Sequence, residues 1–147
     1  MIKQLICLAA LAILATVVPG AGAADDSADI KALQGTWLPE KAELAGQPMP
    51  AEVLKTIVLK LTKQEYEVTV AGAPDKGTWT IDASAKPKGM TIKGGAGPNA
   101  GKTFPCIYEI KGDTLRICYD LSGAKRPAEF KTTAGTKLYL VTYARKK

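Results

Sequence analysis

Residues 57–70, IVLKLTKQEYEVTV, alternate apolar and polar side chains with a period of two on both sides of Lys63-Gln64. Folding this stretch on a two-residue turn sets Leu61 opposite Tyr66, Leu59 opposite Val68 and Ile57 opposite Val70. Every apolar side chain then lies on one face, and Glu65 and Glu67 point to solvent. The next strand continues the face, with 72–75 read as its turn, Trp79 across from Val68 and Ile81 across from Tyr66.

The pattern extends both ways. Upstream, 36–44 reads as a strand interrupted by Pro39, a residue suited to an edge or bulge. Residues 45–47 form a turn, and 51–55 form a brief helical turn after Pro48-Met49-Pro50. Before the first strand, 25–33 is a short helix with Ser27 as its cap and Ile30 and Leu33 on one face. Downstream come a weaker strand at Met90 and Ile92 and a glycine-rich loop over 94–101. A hairpin of 104–110 and 114–119 turns at Gly112-Asp113, and a short strand at 129–132 precedes a closing strand over 138–145. About eight or nine strands joined by short turns predict an all-β fold: a small antiparallel up-and-down barrel of about eight strands with a short N-terminal helix.

Residues 1–23 read as a cleavable export signal. Lys3 precedes an apolar run over 5–18, Pro19-Gly20 breaks it, and Ala21-Gly22-Ala23 supplies the small residues a signal peptidase requires. The run is shorter than the about 20 residues a spanning helix needs. The expected product is one domain over 24–147, periplasmic or extracellular, with no membrane anchor after cleavage. An oxidising compartment permits a disulfide, but the hairpin register sets Cys106 opposite Tyr119 with the apolar set and turns Cys118 the other way. The register favours two free thiols.

The chain has 20 basic and 14 acidic residues, a net charge of +6, and no histidine. Without histidine there is no Ser-His-Asp or Cys-His catalysis, and the commonest zinc ligand is missing. The dispersed lysines form no basic stripe with interleaved aromatics, so nucleic acid is not an expected partner. Residues 97–103, GPNAGKT, mimic a phosphate loop, but Ala96 stands where its first glycine belongs and a strand follows where a helix should. No enzyme, cofactor or metal is expected.

The inward set of Trp37, Tyr66, Val68, Trp79, Tyr108 and Ile117 suits the wall of a ligand pocket and suits a solid core equally. The length favours a small or absent cavity. Arg126 and Glu129 suit a rim pair at a barrel mouth; the structural alternative is a rigid loop held by Pro127, with Phe130 anchored in the core.

The order of a helical turn, Gly35-Thr36-Trp37 and a meander ending at Arg145 resembles the lipocalin, or calycin, barrels. That resemblance implies that Gly35 and Trp37 close one barrel end and that Arg145 packs over the Trp37 ring. Nearly the whole of 24–147 also resembles an uncharacterised exported domain of planctomycete-type bacteria, through 33–37 (LQGTW), 46–50 (GQPMP), 77–79 (GTW), 86–88 (KPK), 101–103 (GKT), 107–115 (IYEIKGDTL) and 126–130 (RPAEF). Trp79 stands where that domain usually has Tyr, a change expected to alter an interior pocket. The expected function is non-catalytic binding of a small apolar or amphipathic ligand, with Trp37, Tyr66, Trp79, Tyr108 and Arg126 as ligand-binding residues. The alternative is an envelope or extracellular module that binds protein or polysaccharide through its loops and basic surface.

Overall fold

A computed structural model describes residues 22–147, so the signal read over 1–23 lies outside the described residues apart from its last two. The elements run α1 (Gly22–Leu33), β1 (Gly35–Leu44), β2 (Gln47–Pro48), α2 (Ala51–Leu54), β3 (Ile57–Thr62), β4 (Glu65–Val70), β5 (Ala73–Asp82), β6 (Gly89–Ala96), β7 (Thr103–Lys111), β8 (Thr114–Asp120) and β9 (Leu138–Arg145). Setting aside the two-residue β2, each strand pairs antiparallel with the next, and β9 returns to pair with β1. The result is a closed, eight-stranded up-and-down barrel. Closure removes the exposed sheet edges that an open meander would leave.

The β3–β4 hairpin has the register expected from its alternation, with Ile57, Leu59 and Leu61 opposite Val70, Val68 and Tyr66. The β7–β8 hairpin likewise pairs Cys106 with Tyr119, Tyr108 with Ile117 and Glu109 with Arg116. Pro39 sits at a bulge, where the β1–β9 register shifts between Pro39 and Lys41. Ser27 lies inside α1 rather than capping it, Gln47 belongs to β2, and Gly94–Ala96 extends β6.

The β4–β5 register departs from expectation by four residues. Val68 faces Asp75 and Tyr66 faces Gly77, so Trp79 lies beyond Tyr66 rather than across from Val68. The turn is Ala71-Gly72, whose φ values of 49° and 84° suit a tight two-residue hairpin. Pro74 is tolerated in the strand because the pair next to the turn-closing pair does not exchange backbone bonds. Its missing N–H faces the side where β6 does not yet pair, since that ladder starts at Lys76. The slip is an even number of residues, so Trp79 still points inward and is 1% exposed. It also turns Asp75 inward.

At one end of the barrel, called here the lower end, α1 lies across the opening. Leu33 and Trp37 are fully buried there, and the Trp37 indole N–H donates to the Leu33 carbonyl at 2.8 Å. Arg145 stacks 4.3 Å from the Trp37 ring centre and donates to the carbonyls of Gln34 and Ala32. One guanidinium thus satisfies the helix's terminal carbonyls and covers the plug. Gly35 is needed beside it: its φ is +139°, and a Cβ there would come within 2.8 Å of the Arg145 guanidinium. Carboxylates on α1 complete the docking. Asp26 accepts from the Ala83 N–H, and Asp29 accepts from the Tyr108 hydroxyl and Lys88.

The segment 121–137 contains no strand, so the short strand expected at 129–132 is absent from it. Asp120 starts the segment by accepting from the Ser122 N–H and hydroxyl and the Lys125 N–H. Burial pushes the Asp120 carboxyl up, but these hydrogen bonds outweigh it and hold it below the usual carboxylate range. The segment crosses the outside of the barrel, where Phe130 lies half-buried under the Arg116 guanidinium at 4.1 Å. Phe130 therefore does not anchor in the core, which β7 and β8 separate from it.

Cys106 points into the barrel and Cys118 outward beneath the Lys131 carbonyl; both are buried, free thiols. Burial pushes both thiols up, so neither is a ready thiolate. Adjacent residues on opposite sheet faces cannot bridge. Millimolar dithiothreitol is accordingly expected to leave the melting temperature unchanged, and the intact mass should show two free thiols. A melting point lowered by reductant would contradict this assignment.

Candidate functional site

The upper end of the barrel is open. Inward positions of β3 and β4 supply Ile57, Leu59, Val68 and Val70, and β6 and β7 supply Ile92 and Phe104. These residues surround a cavity of about 360 Å³ that opens at the end opposite the Trp37 plug. Its size falls within the range of small-molecule sites, above about 300 Å³. This exceeds the small or absent cavity expected from the length. Gly77 stands opposite Tyr66, where a Cβ would overlap the Lys93 carbonyl and press on the Tyr66 ring.

Polar groups enter this apolar space at two places. On one wall Asp75, 6% exposed, accepts from the Tyr66 hydroxyl at 3.1 Å and from the Asn99 side-chain amide at 2.8 Å. Its second oxygen accepts the Asn99 backbone N–H. The carboxylate therefore ties the 97–102 loop to the barrel wall, with Lys102 at the rim. Opposite, the hydroxyls of Tyr119 and Tyr143 meet at 2.9 Å, and Tyr139 stacks on Tyr119 with ring centres 5.4 Å apart. Burial pushes the Tyr66, Tyr119 and Tyr143 hydroxyls well up, with the Asp75 charge adding to the effect at Tyr66. Burial alone raises Tyr139 to about 12. All four stay protonated at neutral pH.

Of the residues expected to bind ligand, Tyr66 lines the cavity. Trp37 is spent on the plug, Trp79 donates its indole N–H to the Glu65 carbonyl, and Tyr108 holds Asp29 of α1. Arg126 lies outside the barrel, its guanidinium donating to the Met90 and Cys106 carbonyls and to Thr91. It clamps segment 121–137 onto β6 and β7 and forms no rim pair with Glu129. Asp75, Asn99, Tyr119, Tyr139 and Tyr143 were not among the expected site residues. A signal for the last two lay in 138–145, where alternation sets Tyr139, Val141 and Tyr143 on one face.

A larger hollow of about 430 Å³ on the outside of β3–β6 is lined by Lys60, Glu65, Glu67 and Lys76. Its Glu67–Lys76 pair and open water make it a solvated face. Among the described residues no group of three or more His, Cys, Asp or Glu is placed to hold a metal. No protein-family model, curated protein or solved structure matches the chain.

Proposed function

We propose that this protein is a lipocalin-like binder that takes a small apolar or amphipathic molecule into the upper end of its barrel, without catalysis. The observation that carries this reading is the apolar cavity of about 360 Å³, open at one end and plugged at the other. The partly exposed apolar side chains Val70 and Leu121 line the open end of this cavity, where they favour entry of apolar matter. An exported protein with this shape would collect or carry such a molecule outside the cytoplasm.

The neutral fluorophore N-phenyl-1-naphthylamine tests the reading. Its emission is expected to rise on titration with the wild-type protein. Leu59→Trp, which fills the cavity from the β3 wall, should weaken binding at least about tenfold, the loss of roughly 1.4 kcal/mol. Circular dichroism of the variant should remain that of a barrel. An emission change that survives Leu59→Trp undiminished would move the site outside the barrel and remove the basis of this function.

A further inference from the structure

The structure assigns a second property to the cavity, resting on the reading of it as a ligand site. We infer that the paired hydroxyls of Tyr119 and Tyr143 anchor the ligand, and that the ligand carries a neutral carbonyl oxygen on an apolar frame.

The argument is a count of protons. Each tyrosine hydroxyl has one proton to donate and accepts through its oxygen. The two hydroxyls share a single bond at 2.9 Å, in which either can be the donor. One proton is used in that bond, and the other is left on whichever hydroxyl accepts. Tyr143 is 2% exposed, and both rings line the cavity. A buried O–H seeks an acceptor. The Asp75 carboxylate does not supply it, being held by Tyr66 and Asn99. The free proton therefore faces the space a ligand would fill.

The surroundings select what the acceptor can be. A buried anion would need a cation, but Lys102 stands exposed at the rim rather than beside the tyrosines. A cationic ligand would bring no acceptor to the free proton, and it would enter past Lys102 into a protein of net charge +6. A neutral carbonyl meets both conditions: it accepts the proton and costs little to desolvate. Tyr139 does not compete for the role. It is half-buried at the opening, and its hydroxyl is open to water.

Because the tyrosines serve each other, their removal has an unusual signature. In Tyr119→Phe the Tyr143 hydroxyl loses its partner and still has a proton to give, and in Tyr143→Phe the Tyr119 hydroxyl does. Only the double variant lacks the donor.

The test measures displacement of N-phenyl-1-naphthylamine by 2-acetylnaphthalene and by 2-ethylnaphthalene, which differ by a carbonyl in place of a methylene. The preference for the ketone, taken relative to the double variant, should be about three- to tenfold in wild type and should persist in both single variants. The double variant should keep its affinity for the hydrocarbon, which shows that its cavity is intact. Equal preference in wild type and double variant would overturn the anchor while leaving the cavity standing. Failure of the fluorophore to bind wild type would overturn the cavity reading itself. Should the double variant not fold, the infrared carbonyl band of bound 2-acetylnaphthalene decides. A hydrogen-bonded frequency supports the anchor, and the frequency seen in hexane refutes it.

Discussion

Trp37→Ala is expected to lower the unfolding free energy by about 3–5 kcal/mol, the range for truncating a large buried aromatic. The indole is wholly buried between α1 and the lower end of the barrel. Its removal opens a void that cannot close without moving the helix. It also deletes the bond to the Leu33 carbonyl and strips Arg145 of the ring it covers. For a chain of this size the melting temperature should fall by on the order of 10–20 °C. The guanidinium keeps its bonds to Gln34 and Ala32, so the helix should loosen rather than leave. Chemical denaturation of wild type and variant measures the difference. A loss below about 1 kcal/mol would mean that Trp37 does not plug the barrel.

Asp75→Ala carries the second large effect, a loss of about 2–4 kcal/mol. Three donors converge on this one carboxylate, and bonds to a charged acceptor contribute about 1.5–3 kcal/mol each before water compensates the exposed ones. The Tyr66 hydroxyl would be left in an apolar wall without its acceptor. The Asn99 backbone and side chain would be released together, freeing the 97–102 loop from the cavity rim. Asp75→Asn should recover only part of the loss, because its amide can accept from Tyr66 but sets N–H against N–H at Asn99. Hydrogen exchange should quicken in 97–102 and stay slow in β7 and β8. Unchanged exchange in that loop would show that Asp75 does not hold it.

These two residues stand on opposite sides of what the sequence makes readable. Trp37 was found through local pattern and resemblance: a glycine-led strand start beside a helix end. Asp75 was hidden by local pattern. Residues 72–75 combine glycine, proline and aspartate, the chemistry of a turn. The chain instead turns earlier, at Ala71-Gly72, and carries Pro74 into the strand. Register across that hairpin follows from how the barrel closes, since Pro74 is acceptable only where β6 has not begun to pair.

The same limit explains Arg126 and Phe130. Their spacing shows a rigid loop but not which side of the sheet it takes. Segment 121–137 crosses the outside, where Arg126 finds strand carbonyls and Phe130 finds Arg116. Nothing local to 126–130 encodes that choice, because its partners lie on β6, β7 and β8.

By itself the sequence determined the eight barrel strands, though not the start of β5 or the end of β6, together with the inner face and the two tight hairpins at 63–64 and 112–113. Period-two alternation and turn chemistry act within about ten residues and need no distant partner. Tertiary structure alone decided that the barrel is hollow at one end and which polar groups enter the hollow. Tyr143 meets Tyr119 from 24 positions away in the sequence, and Asn99 reaches Asp75 across the same separation. Such meetings depend on barrel closure, a packing fact no strand carries alone.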